Sequence, residues 1–193
     1  MSVRTPDTVG DPGPPNTGVA PDLVVRQARR EDLPAILALL AADAIREVSE
    51  TVPAGTPGPD GDAYDVEARY LAAFEEITDD PNTLLLVGEL PSRPGAVVVA
   101  TCQVTFLRHL MYHGGLVAQV ESVRTSSPLR GRGIGRTLMD WVVAESRRRG
   151  AVRLQLTSNR ARLDAHRFYE RLGFRATHVG MKLYLGDDGA SSG

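Results

Sequence analysis

Ser127-Pro128-Leu129-Arg130-Gly131-Arg132-Gly133-Ile134-Gly135-Arg136 stands between an apolar run that ends near Thr125 and an amphipathic stretch that begins at Gly133. A strand that turns through closely spaced glycines into a helix leaves the first helical N–H groups unpaired and pointing outward. Those groups and the helix dipole make the turn an anion site, which Arg130, Arg132 and Arg136 reinforce. A phosphate or pyrophosphate is its natural ligand. A P-loop needs Lys after its last Gly, and the first Lys of this chain is Lys182. A dinucleotide fingerprint needs a third Gly near Leu138 and an acidic residue about 20 positions on, and neither is in place.

The flanking sequence orders the other elements. Leu23–Val25 reads as a short strand leading to a helix announced by Glu31-Asp32-Leu33-Pro34, with Leu33, Ile36, Leu37, Leu40 and Ala44 on one face. Thr51–Asp62, with three Pro and three Gly, reads as a loop of lid or binding-segment length. Tyr64, Ala68, Leu71, Phe74 and Ile77 mark a second helix that stops before Asp79-Asp80-Pro81. Strands are predicted over Thr83–Glu89, Ala96–Leu107 and Leu116–Thr125, followed by a helix from Gly133 to Arg149 with Gly150 ending it. A strand at Val152–Leu156, a helix at Leu163–Leu172 and an extended hairpin from Gly173 through Met181 to Leu185 complete the order. Helices interleaved with strands argue for a mixed α/β sheet.

The 193 residues suit one domain over 22–185. Residues 1–21, with five Pro and three Gly, read as a disordered tail, and so do residues 186–193. A formal net charge of −2 argues against a nucleic-acid partner or an anionic membrane surface. No apolar run approaches bilayer length and no leader is evident, so the expectation is a cytoplasmic protein without membrane attachment. The single Cys102 excludes an intramolecular disulfide and a multi-thiolate zinc site, and reads as core.

Arg130-x-x-Gly133-x-Gly135 resembles the acyl-CoA loop of the GNAT superfamily of N-acetyltransferases. Asp32-Leu33-Pro34, Val123-x-Thr125, the glycine loop and Asp164-Ala165-His166-Arg167-Phe168-Tyr169-Glu170-Arg171-Leu172-Gly173-Phe174 fall in the family's order. The resemblance implies the GNAT fold: a mixed central sheet, splayed at a coenzyme A cleft and flanked by helices. It implies acetyl-CoA as cosubstrate, with the backbone amides of Arg130, Gly131, Arg132, Gly133, Ile134, Gly135 and Arg136 on its pyrophosphate. It also implies that the backbone of Val123 and Thr125 pairs with the pantetheine arm, with Asn159 and Phe168 lining the far side. Arg162 stands where the family often has Asn, and Asn159 is its candidate substitute. Family members are often dimers, which makes a homodimer an expectation.

The implied reaction is acetyl transfer to an amine in a ternary complex. An amine of pKa about 10.4 is neutral in about one molecule per thousand near pH 7.4, so a group must remove its proton. Glu121 is the candidate, directly or through a water, because alternation puts it on the strand face of Val123 and Thr125. A pairing of Glu121 with a nearby Arg such as Arg124 is the competing reading. The N–H of Val123 is the candidate donor to the thioester oxygen. Tyr169 resembles the family's general acid toward the departing thiolate, and simple packing between Ala165 and Leu172 is its alternative. His109 and His113 read as surface or pocket-rim residues, and no metal site is expected. His166 reads as structural or a coenzyme neighbour, and Arg147-Arg148-Arg149 as cations suited to a helix end.

The stretch from Thr157 through Tyr169 and Lys182, with the His-containing loop, looks most similar to the branch acting on aminoalkylphosphonates and other small amines. A small primary amine is therefore the expected acceptor, with a protein N-terminus or an aminoglycoside as alternatives. An acetyl-CoA sensor without turnover is the reading from another class. Charge is divided along the chain: residues 1–123 hold eight Arg and eighteen acids, whereas residues 124–175 hold thirteen Arg and four acids. A basic segment for an anionic cofactor and an acidic one around a cationic acceptor are the expectation.

Overall fold

The computed structural model describes residues 22–42, 66–91 and 95–183. The expected tails, the Thr51–Asp62 loop, Ala44 and Tyr64 lie outside them. The elements are β1 (Val24–Gln27), α1 (Leu33–Ala41), α2 (Val66–Asp79), β2 (Thr83–Leu90), β3 (Val97–Arg108), a one-turn α3 (Met111–Gly114), β4 (Leu116–Thr125), α4 (Ile134–Arg148), β5 (Ala151–Leu156) and α5 (Leu163–Arg171). The sheet runs β1-β2-β3-β4-β5. Its first four strands are antiparallel, and β5 joins β4 in parallel after the α4 crossover that a parallel pair requires.

Strand alternation sorts the core into two faces. Leu86, Cys102, Val104, Ala118 and Val120 pack with Leu138, Met139 and Val142 of α4. Each of the Leu, Val and Met side chains among them contributes about 1.5–3 kcal/mol by leaving water. Val87, Thr101 and Val117 are buried on the opposite face, where α1 packs on β3 and β4 and α2 on β2. The Asp32-Leu33-Pro34 start of α1 is fixed by Arg26, whose guanidinium donates to both carboxylate oxygens of Asp32 at 2.6 and 3.0 Å and, through Nε, to Glu89 at 2.9 Å.

One expectation changes. Gly173–Leu183 contains no strand, and Val179, Met181 and Leu183 are exposed. Their alternation suits a strand, but a ladder needs a partner edge, and none pairs with them among the described residues. The loop after β3 is a left-handed turn, with Tyr112 and His113 at φ 57° and 55°.

Candidate active site

β4 and β5 pair from Leu116 beside Ala151 to Val120 beside Leu156, where β5 ends. β4 continues to Thr125 on β3 alone, so its outer backbone edge is open over residues 121–125 among the described residues.

That stretch contains a β-bulge. Gln103 faces Glu121 and Thr101 faces Arg124, so Ser122 and Val123 together oppose Cys102, with Ser122 at φ 52°. The extra residue corrects the face assigned to Glu121. Directly opposed residues share a face, so Glu121 lies with Gln103 and Thr101 on the α1/α2 side, whereas Thr125 lies with Ala100 on the α4 side. The N–H of Ser126 donates to Val99 at 2.8 Å, and backbone alternation from there turns the amides of Thr125 and Val123 away from β3, toward the open edge. Glu121 is exposed and forms no ion pair among the described residues, so the expected alternative of an Arg124 partner is not what the structure places there. Arg124 instead donates from Nη1 to the Val123 carbonyl at 3.1 Å.

The glycine loop divides the expected amide cradle. The N–H groups of Arg130 and Arg132 are used within the turn, donating to Ser127 at 3.2 Å and Leu129 at 3.4 Å. Those of Gly131, Gly133, Ile134, Gly135 and Arg136 have no backbone acceptor among the described residues, since the first helical bond runs from Thr137 to Gly133. Gly131 and Gly133 take φ 77° and 81°, a region that other residues enter at a cost. Arg136 is held by Asp140 at 3.3 Å.

α5 forms the far wall. The Phe168 and Tyr169 rings meet at a tilt of 59° with centroids 5.1 Å apart, and Tyr169 meets Phe174 at 5.7 Å. Burial pushes the Tyr169 hydroxyl above its ordinary pKa, with Cys102 adding and Arg124 and Arg162 opposing. Tyr169 packs against the core on the α4 side of the sheet, the face opposite Glu121. Asn159 builds the turn before α5: its Oδ1 accepts from Ala161 at 2.8 Å, and its carbonyl meets His166 Nε2 at 2.9 Å. His166 thus ties α5 to the turn before it.

Cys102 is buried, which pushes its thiol up to about 12. His113 is exposed in the left-handed turn, His109 lies before it, and no group of three or more possible metal ligands exists among the described residues. An apolar cleft of about 430 Å³ between α1 and residues 97–99 meets the site at Thr125. No helix among the described residues is long and apolar enough to cross a membrane. The bulge, the placement of Arg124 and a Gln119–Gln155 hydrogen bond of 2.7 Å went unmarked in the sequence, because each depends on strand register.

Residues 47–174 match the family model described as the acetyltransferase (GNAT) family. The chain belongs to the GNAT acetyltransferase family. This GNAT chain is 35% identical over 68 residues to the aminoalkylphosphonate N-acetyltransferase of Salmonella typhimurium, a match covering 35% of the chain and 44% of that relative. It is 39% identical over 95 residues to N-alpha-acetyltransferase 80 of Mus musculus, covering 49% of the chain and 28% of that relative. The chain thus spans less than half the length of these two curated relatives. A structure described as a transcriptional regulator from Bacillus halodurans superposes at TM-score 0.69 with 36% identity, covering 84% of this chain and 99% of the other. Glucosamine-6-phosphate N-acetyltransferase from Arabidopsis thaliana, at TM-score 0.67 and 18% identity, covers 85% and 99% and shares the fold.

Proposed function

We propose that this GNAT protein acetylates the primary amine of a small molecule, using acetyl-CoA as cosubstrate and direct attack in a ternary complex. The observation that carries this reading is the open β4 edge with Glu121 on one sheet face and Tyr169 on the other. The unpaired amides of Gly131, Gly133, Ile134, Gly135 and Arg136 fit a pyrophosphate, and the outward N–H of Thr125, beside that of Val123, fits an extended amide-bearing arm. Acetyl-CoA supplies an activated acetyl group. Glu121 accepts the proton of the incoming ammonium, directly or through a water, on the sheet face that α1 and α2 cover. The N–H of Val123 donates to the carbonyl oxygen as charge develops there. Tyr169, kept protonated by burial, delivers its proton to the departing sulfur. Phe168 closes the wall behind the arm, and Asn159 shapes the turn that carries α5.

The Salmonella relative supports a small amine as acceptor, and the mouse relative keeps a protein N-terminus as the alternative. The reading places the protein in the cytoplasm with its coenzyme, as one catalytic domain over 22–185. A second reading, an acetyl-CoA sensor without turnover, is favoured by the regulator from Bacillus halodurans. Thiol release from acetyl-CoA across a panel of amines separates the two. Release with at least one small amine is expected; tight coenzyme binding with no release from any amine favours the sensor.

A further inference from the structure

A row of carboxamides crosses the sheet beside the open edge, on the α1/α2 face. Gln103 stands directly opposite Glu121 across β3 and β4, and Gln119 precedes Glu121 by two residues on the same face. Gln155 stands opposite Gln119 on β5, and its Nε2 donates to Gln119 Oε1 at 2.7 Å. With the amides so oriented, Gln119 keeps two N–H donors and Gln155 an acceptor oxygen for another partner. Gln103 makes no side-chain hydrogen bond among the described residues. All three are half-buried.

The row is local. The same face is buried at Val87, Thr101 and Val117 and carries Thr83 and Thr105, and its carboxamides stand where β4 approaches the splay. Of the cations at its ends, Arg153 donates from Nη1 to the Tyr112 hydroxyl at 2.5 Å and Arg124 from Nη1 to the Val123 carbonyl at 3.1 Å. Half-buried carboxamides with unused hydrogen-bonding capacity favour a polar neutral partner over an apolar one, which would strip them of water without replacing it.

We infer that Gln103, Gln119 and Gln155 select the acceptor, favouring amines that carry a neutral hydroxyl or amide about 5–7 Å from the reacting nitrogen. That distance follows from cross-strand and i,i+2 spacings of about 5 and 6.6 Å around Glu121. The inference rests on Glu121 as the proton acceptor of the proposed reaction.

The test compares three amines of matched length, bearing a hydroxyl, a methyl or a phosphonate at that distance. Thiol release gives kcat/KM, and calorimetry gives the affinity of each amine for the CoA-bound protein. The hydroxyl amine is expected to exceed the methyl amine by about fivefold to tenfold, the range of one neutral hydrogen bond. Gln119→Leu and Gln155→Leu shrink that ratio through KM and weaken hydroxyl-amine binding. Gln119→Met, which keeps length without hydrogen bonding, does the same and separates this effect from lost packing. A ratio near one in the native protein, a ratio unchanged in the variants, or a preference for the phosphonate overturns the inference alone. No release with any amine overturns the acetyltransferase reading and this inference with it.

Discussion

Gly135 in the first turn of α4 lies against Phe168 of α5, so close that a Cβ there would stand 3.3 Å from Phe168 Cζ. Thr125 Cγ2 would be 3.6 Å away on the other side. The contact joins the glycine loop to the wall of the cleft.

Glycine substitutions therefore separate by cause. Gly131→Ala meets open space at the Cβ, and both it and Gly133→Ala force a left-handed residue, which costs about 1–2 kcal/mol in urea unfolding. Gly135→Ala carries no such strain. It presses on Phe168 and is expected to lose little stability but about tenfold in acetyl-CoA affinity, measured by calorimetry.

Glu121→Gln is expected to lower kcat/KM by about 10²–10⁴, the range of one proton-transfer group, while acetyl-CoA affinity stays within about twofold. The variant depends on amine already neutral in solution. Its rate should therefore rise about tenfold per pH unit below the amine pKa of about 10.4. A rate with the native pH profile contradicts the assignment.

Tyr169→Phe is expected to lower kcat by about tenfold or more with the fold intact by circular dichroism. Burial raises the Tyr169 pKa, so its proton is present throughout the neutral range and an alkaline loss of kcat from this group begins only above about pH 10. The folded state favours the neutral phenol, so its share of stability is full below the unfolded pKa and is lost as pH rises through the folded value. A turnover rate close to native in Tyr169→Phe leaves the ring with packing alone.

Glu145 near the end of α4 accepts from Arg148 at 2.7 Å and Arg149 at 2.8 Å. Arg149 also donates to the Pro81 carbonyl at 3.1 Å and lies over the Phe106 ring at 4.4 Å. The two guanidinium groups, Arg148 foremost, hold the Glu145 carboxyl at about 2, against 4.5 ordinarily. A depressed folded pKa adds stability that is present above about pH 4.5 and is lost as pH falls toward 2. Glu145→Gln is expected to cost about 1 kcal/mol at pH 6, a figure kept small by the exposure of Arg148, and the difference from native should narrow near pH 3. Urea midpoints at the two pH values measure it.

The runs at Thr83–Glu89, Ala96–Leu107 and Leu116–Thr125 became strands within a residue or two, because Pro and Gly bound them and β-branched residues fill them. The glycine turn entered α4 as expected, since a strand-to-helix reversal needs the left-handed φ of Gly131 and Gly133. The face of Glu121 was not legible. Ser122 takes a positive φ with no glycine to announce it, and the bulge exists only in the register of β4 on β3. The alternation of Val179, Met181 and Leu183 spoke for a strand, but pairing is a tertiary event that the pattern alone does not supply.

A single-turnover experiment tests direct transfer most closely: the protein is mixed with acetyl-CoA alone, sampled by intact mass, and then given a small primary amine that supports thiol release. The account predicts an unmodified protein mass and no thiol release before the amine, then CoA and N-acetylated amine in equal amounts. An acetylated protein before the amine arrives, or thiol release without a matching amide product, would contradict it.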